Sequence, residues 1–156
     1  MRAVPVVNHI LRIANRDKID LTPLKMQKML FVLHGWYFAI TGQKLVDEAF
    51  EAWEYGPVVA DVYNKLRAFG SLPIDDYIKE WDVETGQLLP YFVNLDTRPE
   101  FAEILERVWQ EYSRFSTTQL STMTHKPNTP WANTAPRSII ADEEIRRYFQ
   151  DPVRRG

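Results

Sequence analysis

Residues 22–42 have the sequence TPLKMQKMLFVLHGWYFAITG, which predicts a long helix at the centre of the protein. Thr22 suits an N-cap, and Pro23 suits the first helical position, where no amide hydrogen bond is lost. Gly42 stands where a left-handed residue would end the helix. Large apolar residues recur at helical spacing on one broad face: Met26, Met29, Leu30, Leu33, Trp36, Tyr37 and Ile40. Because this face is more apolar than a surface helix requires, we expect the helix to lie in the core.

Two further helices are predicted on either side of this stretch. Residues 4–15 form an amphipathic pattern that predicts a first helix. A later helix is predicted to begin at Pro57 and to end at Gly70, because apolar residues between them recur at helical spacing. The apolar positions of that later helix are Val58, Val59, Val62, Tyr63, Leu66 and Phe69.

The second half of the chain is predicted to contain three more helices. The first begins at Pro99, and Ser116 with Gln119 matches a capping box that begins a short second one. The last is predicted to start with Asp142 as its N-cap and to end at Pro152. The residues expected to face inward are Phe101, Ile104, Leu105, Val108, Trp109 and Tyr112 in the first, Leu120 and Met123 in the second, and Ile145, Tyr148 and Phe149 in the last.

A short strand is predicted within residues 45–55. Phe50 and Ala52 point to one side, while Trp53 and Tyr55 point to the other, as strand alternation requires. This pattern supplies a small sheet element beside the helices.

Residues 71–96 are the least regular part of the chain, since prolines and a glycine interrupt them. Within them, 78–83 and 91–93 fit either strands or extended packing segments. We therefore predict the α+β class: a mostly helical single domain with a small antiparallel sheet element. It is expected to span 1–156, with its core at about 4–149.

Length and composition favour an intracellular protein of this class. A chain of 156 residues fits one domain, and such a domain buries roughly 70% of its unfolded surface. The sequence has no cysteine, which excludes disulfides and thiolate metal sites and suits a reducing compartment. The apolar stretch 1–13 is broken by polar residues and falls short of the ~20 residues of a membrane span. We expect a cytoplasmic protein that does not enter a membrane.

The charge balance makes nucleic acid an unlikely partner. The formal net charge is -2 and the pI is about 5.9, whereas nucleic-acid-binding domains usually carry a basic face. Local basic groups are interpreted as solvated helix faces or as a tail. These groups are Lys25, Lys28, Arg146, Arg147, Arg154 and Arg155.

Catalytic, metal and cofactor sites are not indicated. The histidines at 9, 34 and 125 lack metal-ligand spacing, and strand alternation separates Glu51 from Glu54. A hydrolase hypothesis would pair His125 with Asp61 or Ser116, but no nucleophile elbow or glycine-rich loop accompanies them. The alternative interpretation is that His125 fixes its loop by hydrogen bonding to backbone or near Trp131.

The stretch Trp53-Glu54-Tyr55-Gly56-Pro57-Val58-Val59 is typical of a recognition surface. It joins bulky aromatic residues to a Gly-Pro break, and aromatic side chains are favoured at interface hot spots. Residues 125–131 form a second junction, with two prolines that prevent a continuous helix. Trp53 and Trp131, which lie at these junctions, are interpreted either as structural packing or as partner contacts.

Several motifs together resemble the Panacea domain of the SocA-like antitoxin family. They are Gln27-Lys28-Met29-Leu30, Gly35-Trp36, Gly42, Ala52-Trp53-Glu54-Tyr55-Gly56-Pro57-Val58, Tyr63, Thr124-His125 and Pro130-Trp131. The resemblance covers nearly the whole chain, from about Val4 to Phe149. Although Tyr-Gly-Pro alone is a weak signal, the ordered combination is specific.

This resemblance implies an antitoxin and not an enzyme. Members of the family neutralise a toxin that is encoded beside them by binding the toxin protein, and one type resembles a proteolytic adaptor for a ClpXP-type protease. The face expected to bind the cognate toxin consists of Trp53, Tyr55, Gly56, Pro57, Val58, Tyr63, His125, Pro130 and Trp131. The alternative is a DNA-binding autoregulator, but the connection between helices 22–41 and 57–69 is too long for a helix-turn-helix.

Overall fold

The structure, a computed structural model, describes residues 1–151. Its helices are α1 (Ala3–Asp17), α2 (Pro23–Thr41), α3 (Ala60–Leu66), α4 (Pro99–Tyr112), α5 (Thr117–His125) and α6 (Asp142–Gln150), with a 3-10 turn at Arg67–Phe69. Two antiparallel hairpins pair β1 (Glu51–Trp53) with β2 (Gly56–Val58) and β3 (Lys79–Asp82) with β4 (Gln87–Pro90). The predicted α+β class with a small antiparallel sheet component is confirmed.

Helix α2 is the central element, as the sequence predicts. The Thr22 side chain accepts a hydrogen bond from the Lys25 amide, and Gly42 ends the helix with φ 74°. The helix packs against every other helix and against β2. Its burial extends beyond the predicted face, and the prediction is wrong for Ile40, which is 54% exposed. Because neighbours surround α2, polar residues on it are buried as well.

The close contact between α2 and α6 depends on Gly35. A Cβ placed on Gly35 would lie 2.0 Å from the ring of Phe149, so a larger side chain would push the two helices apart. Phe149 is 4% exposed, and its ring also meets Trp36 at a centroid distance of 5.7 Å. The C-terminal helix is therefore locked onto the centre of the core.

The β1–β2 hairpin corrects one prediction. Pro57 does not begin a helix but lies in β2 opposite Ala52, and α3 begins only at Ala60. The amide and carbonyl of Ala52 bond instead to Ser138 and Arg137. Proline has no amide hydrogen to donate across the hairpin. No hydrogen bond between the strands is lost at this position, because the backbone groups of Ala52 pair with residues 137–138 and not with Pro57.

The β3–β4 hairpin lies within the stretch that the sequence leaves irregular. Residues 79–82 form a strand, while 91–93 lie outside any strand. The side chain of Asn8 on α1 fastens the hairpin base through hydrogen bonds to Ile78 and Tyr91 backbone atoms. Such side-chain bonds to buried backbone groups fix an element that has little core of its own.

The remaining helices largely match their predictions. All six predicted inward residues of α4 are buried, and the capping box of Ser116 and Gln119 is formed. The prediction of Asp142 as the N-cap of α6 is wrong, because Ala141 takes the cap position and Asp142 is the first helical residue. The Asp142 carboxylate pairs with Lys44 at 3.2 Å. The predicted end of this helix at Pro152 lies outside the described residues.

Candidate functional site

Three consecutive carbonyl oxygens at the tip of the β1–β2 hairpin each meet a side chain from elsewhere in the fold. The indole nitrogen of Trp131 donates to Trp53 O at 2.6 Å, and the ammonium of Lys28 donates to Tyr55 O at 2.5 Å. Between them, His125 Nε2 lies 3.3 Å from Glu54 O. We call residues 53–56 the hairpin tip and these three side chains the carbonyl clamp. The clamp holds the tip from two distant parts of the chain, α2 and the segment 125–131.

Lys28 is buried, which corrects its interpretation as part of a solvated helix face. It is 1% exposed, and burial lowers the pKa of its ammonium from 10.5 to about 8. A buried ammonium loses hydration that one carbonyl replaces only in part. Lys28 is therefore retained at a cost in stability.

The other basic groups have mixed outcomes. Lys25 is half-buried, with its Nζ donating to Ser113 O at 3.1 Å, and burial lowers its pKa. Arg147 is exposed, as interpreted. Arg154 and Arg155 lie outside the described residues.

Gln27 holds the other end of the same hairpin. Its amide nitrogen donates to Val59 O at 3.2 Å, and its side-chain oxygen accepts from Val59 N at 3.0 Å. Both ends of its amide group are thus paired with one residue at the exit of β2. Neighbouring positions on α2, 27 and 28, consequently set the path of the chain from Tyr55 to Val59.

Gly56 lets the hairpin tip approach the clamp closely. Its φ is +122°, which L side chains rarely adopt, and a Cβ there would lie 2.9 Å from Lys28 Nζ and 3.4 Å from His125 Cε1. The Gly-Pro break therefore places the backbone directly against two clamp side chains.

His125 has the structural role that the second interpretation gave it, because its ring nitrogens face backbone groups and its ring packs on Trp131. Its Nδ1 lies 2.6 Å from Ser121 O, and its ring meets Trp131 at a centroid distance of 4.0 Å. Asp61 instead pairs with Lys65 at 2.9 Å. Ser116 is engaged in the capping box with Gln119. His125 therefore pairs with neither of the residues that the hydrolase hypothesis names.

A largely apolar cavity of about 420 Å³ lies beside the hairpin tip, and we call it the contact groove. Its lining consists of Thr22, Pro23, Leu24, Gln27, Trp53, Tyr55, Val58, Tyr63, Leu66, Gly70 and Ser71. Tyr55 is 65% exposed, Tyr63 is 42% exposed and Leu24 is 37% exposed. The rings of Trp53 and Tyr63 meet edge to face at 4.9 Å. The groove therefore offers aromatic surface that a partner can cover.

The nine predicted face residues fall into three groups. Tyr55, Tyr63 and the half-buried Trp53 line the contact groove, whereas the half-buried His125 and Trp131 hold the hairpin tip. The remaining four predicted residues are buried, and they are Gly56, Pro57, Val58 and Pro130. Val58 forms part of the groove wall, while Pro130 lines a separate cavity of about 380 Å³ between α2, α4, α5 and α6.

The sequence prediction missed Leu24, Gln27 and Lys28 as parts of this site. A signal for the two polar residues was present, because the surrounding helix is apolar on nearly every side. Polar residues on such a helix have no solvated face to occupy and must find partners inside the protein. Leu24 carried no comparable signal, because single exposed leucines are ordinary.

Two further properties concern only residues 1–151. None of the helices there has both the length and the apolarity that crossing a membrane requires. No group of three or more histidine, aspartate and glutamate side chains in this part of the chain is arranged to hold a metal ion.

Comparisons with known proteins relate the site to a family. The sequence model described as "Antitoxin SocA-like, Panacea domain" matches residues 26–132, a range that includes the hairpin tip and the whole carbonyl clamp. The chain is 32% identical over 126 residues, or 81% of its length, to a protein called "Antitoxin SocA" from Caulobacter vibrioides (strain NA1000 / CB15N). The match spans 66% of that relative, slightly less than two thirds of its length. No solved structure matches the chain.

Proposed function

The chain belongs to the SocA-like antitoxin family with a Panacea domain, and from this membership we propose that it neutralises a cognate toxin by binding the toxin protein directly. The toxin is expected to be encoded beside it, and the binding to take place in the cytoplasm. The contact surface is the contact groove together with the hairpin tip. The observation that carries this assignment is the exposed aromatic surface of Tyr55 and Tyr63 on a firmly held hairpin.

The chemistry of the groove favours a protein partner. Interface cores are enriched in aromatic residues and depleted in charge, and the groove lining contains no charged residue. Tyrosine also loses little conformational entropy on binding, because its side chain has only two rotatable angles. We therefore expect an apolar segment of the toxin to enter the groove and to cover Tyr55 and Tyr63.

The carbonyl clamp contributes by preorganising this surface. A binding loop that is already in its bound conformation loses less conformational entropy when the complex forms. Trp131 holds the hairpin tip by a hydrogen bond to Trp53 O, and His125 lies against Glu54 O with its ring packed on Trp131. Neither side chain needs to touch the toxin. Variants at these two positions are consequently expected to weaken binding indirectly.

The test is to co-express the chain with the product of the neighbouring gene and to measure growth and co-purification. Growth rescue and a stable complex support the proposal. Loss of rescue in Tyr55→Ala, with an unchanged circular dichroism spectrum, would place Tyr55 in the contact surface. Rescue without any physical association, or a salt-dependent shift of promoter DNA by the protein alone, would contradict direct toxin binding.

The same experiment separates two routes to neutralisation. If the protein masks the toxin, the toxin's half-life stays unchanged or lengthens when the antitoxin is present. If the protein instead delivers the toxin to a ClpXP-type protease, the half-life shortens and rescue disappears in cells that lack the protease. A pulse-chase measurement in both backgrounds decides between these routes.

A further inference from the structure

Lys28 departs from the ordinary placement of lysine. Buried charged residues are usually paired with an opposite charge, but the hydrogen bond of Lys28 goes to a neutral carbonyl, that of Tyr55. Residues that break a local rule of stability tend to serve function. The position of Lys28 within the site suggests what that function is.

Geometry connects Lys28 to the part of the hairpin that is most exposed. The side chain of Tyr55 points outward, and 65% of the residue is exposed. Its carbonyl oxygen accepts a hydrogen bond from the Lys28 ammonium at 2.5 Å. The next residue, Gly56, leaves room for this approach, because a Cβ there would lie 2.9 Å from Nζ. The ammonium therefore holds the backbone of the residue whose ring faces outward.

We propose that Lys28 is a positioning residue. Its hydrogen bond to the carbonyl of Tyr55 fixes the backbone of the hairpin tip and so presents the Tyr55 side chain to the toxin. This inference rests on the proposed function and adds a buried residue to it. Lys28 acts through Tyr55 and makes no contact with the toxin. Its removal thus disturbs the direction of the Tyr55 ring and leaves the helix that carries it in place.

The chain offers a matched control on the same helix. Lys25 lies one turn before Lys28, and its Nζ also donates to a backbone carbonyl, that of Ser113 at 3.1 Å. Ser113 caps the C-terminal end of α4 and is not part of the hairpin tip. Lys25→Met and Lys28→Met remove the same kind of group and the same kind of hydrogen bond, but only the second touches the tip.

The experiment measures affinity and thermal stability together for the wild type and both variants. The affinity probe is the purified product of the neighbouring gene, and hydrogen exchange of residues 53–58 reports on the free protein. For Lys28→Met we expect an unchanged or higher melting temperature, since a buried charge has been removed, together with at least about a tenfold higher Kd. Hydrogen exchange at the hairpin tip should become faster, while Lys25→Met should leave both Kd and tip exchange unchanged.

Several results would overturn the role of Lys28. A parallel loss of melting temperature and affinity would make Lys28 a structural residue only. Equal affinities for wild type and Lys28→Met, or the same loss in Lys25→Met, would remove it from the presentation of Tyr55. Failure of the wild type to bind any such product would instead overturn the proposed function itself, so the two ideas fail in distinguishable ways.

Discussion

The indole N–H of Trp131 donates to the carbonyl oxygen of Trp53 at 2.6 Å, although 78 positions separate the two residues in the chain. This bond ties the loop after α5 to the tip of the first hairpin. The side chain of Trp53 is also contacted from a distant segment, because the guanidinium of Arg137 lies 4.5 Å from the centroid of its ring. The hairpin tip is therefore fixed by contacts distant in sequence.

Trp131→Phe is expected to loosen this connection. The change keeps an aromatic ring but removes the donor to Trp53 O, so unfolding free energy should fall by about 1–2 kcal/mol. Urea denaturation measures this change. The control is Trp81→Phe, at a tryptophan that is 63% exposed, which should alter stability by less than about 0.5 kcal/mol. Equal effects of the two substitutions would show that the Trp131 hydrogen bond contributes nothing.

Tyr55→Ala is expected to separate binding from stability. Because the residue is 65% exposed, its loss should change unfolding free energy by less than about 0.5 kcal/mol. Truncation of an aromatic hot spot should nevertheless raise the Kd for the toxin by about tenfold or more. Calorimetric titration measures the affinity, and Trp81→Ala on the other hairpin is the control. An affinity that survives Tyr55→Ala would remove this residue from the contact surface.

Gly56→Ala is expected to destabilise the protein more than Gly42→Ala does. At Gly42, φ is +74° and a Cβ would meet nothing within 4 Å, so the cost is about 1 kcal/mol for the left-handed conformation alone. At Gly56 the φ of +122° is one that L side chains rarely adopt, and a Cβ would also displace Lys28 Nζ from its hydrogen bond to Tyr55 O, so we expect about 2–3 kcal/mol. Thermal unfolding of the two variants compares these costs. A smaller effect at Gly56 would mean that the tip relaxes freely.

The stability of the fold should fall in mild acid because of His34. This residue is 1% exposed, and burial lowers the pKa of its ring from 6.5 to about 4. As the pH falls from about 6.5 towards 4, His34 becomes protonated in the unfolded chain but stays neutral in the native state. Stability present above pH 6.5 is therefore lost across this window, by up to about 3 kcal/mol.

His34→Gln isolates this contribution. Glutamine does not titrate, and its oxygen can still accept the hydrogen bond that Val46 N gives to His34 Nδ1 at 3.3 Å. Burial also lowers the pKa of His9, but His9 is present in both proteins. Denaturation curves between pH 7 and pH 4 should show a shallower loss for the variant. Identical pH profiles would mean that His34 does not carry the acid sensitivity.

Local patterns predict the helices well and the hairpins less well. Thr22 and Gly42 define the ends of α2 through backbone chemistry that the sequence shows directly. Pro57 is misassigned because proline suits both the first turn of a helix and a strand position that needs no donor. That second option exists only because residues 137–138 pair with Ala52, a contact that no local pattern reveals.

In the candidate site, too, local patterns predict some residues, while others depend on contacts between distant segments. Tyr55 is predicted as a site residue because aromatic residues beside a Gly-Pro break favour a recognition surface, and Tyr63 is predicted from the family motif. Lys28 is missed because a lysine is ordinarily solvated, and its burial results from the packing of several elements around α2. The groove could not be predicted either, since it forms between segments that are distant in sequence, from Thr22 to Ser71.

The most direct test of toxin binding through the contact groove is hydroxyl-radical footprinting of the chain alone and in complex with the product of the neighbouring gene. Tyr55 and Trp81 are suited to this comparison because they are 65% and 63% exposed, respectively, on different hairpins. We predict that oxidation of Tyr55 and Tyr63 falls in the complex while oxidation of Trp81 stays constant. Protection of Trp81 with unchanged oxidation of Tyr55 would contradict the account.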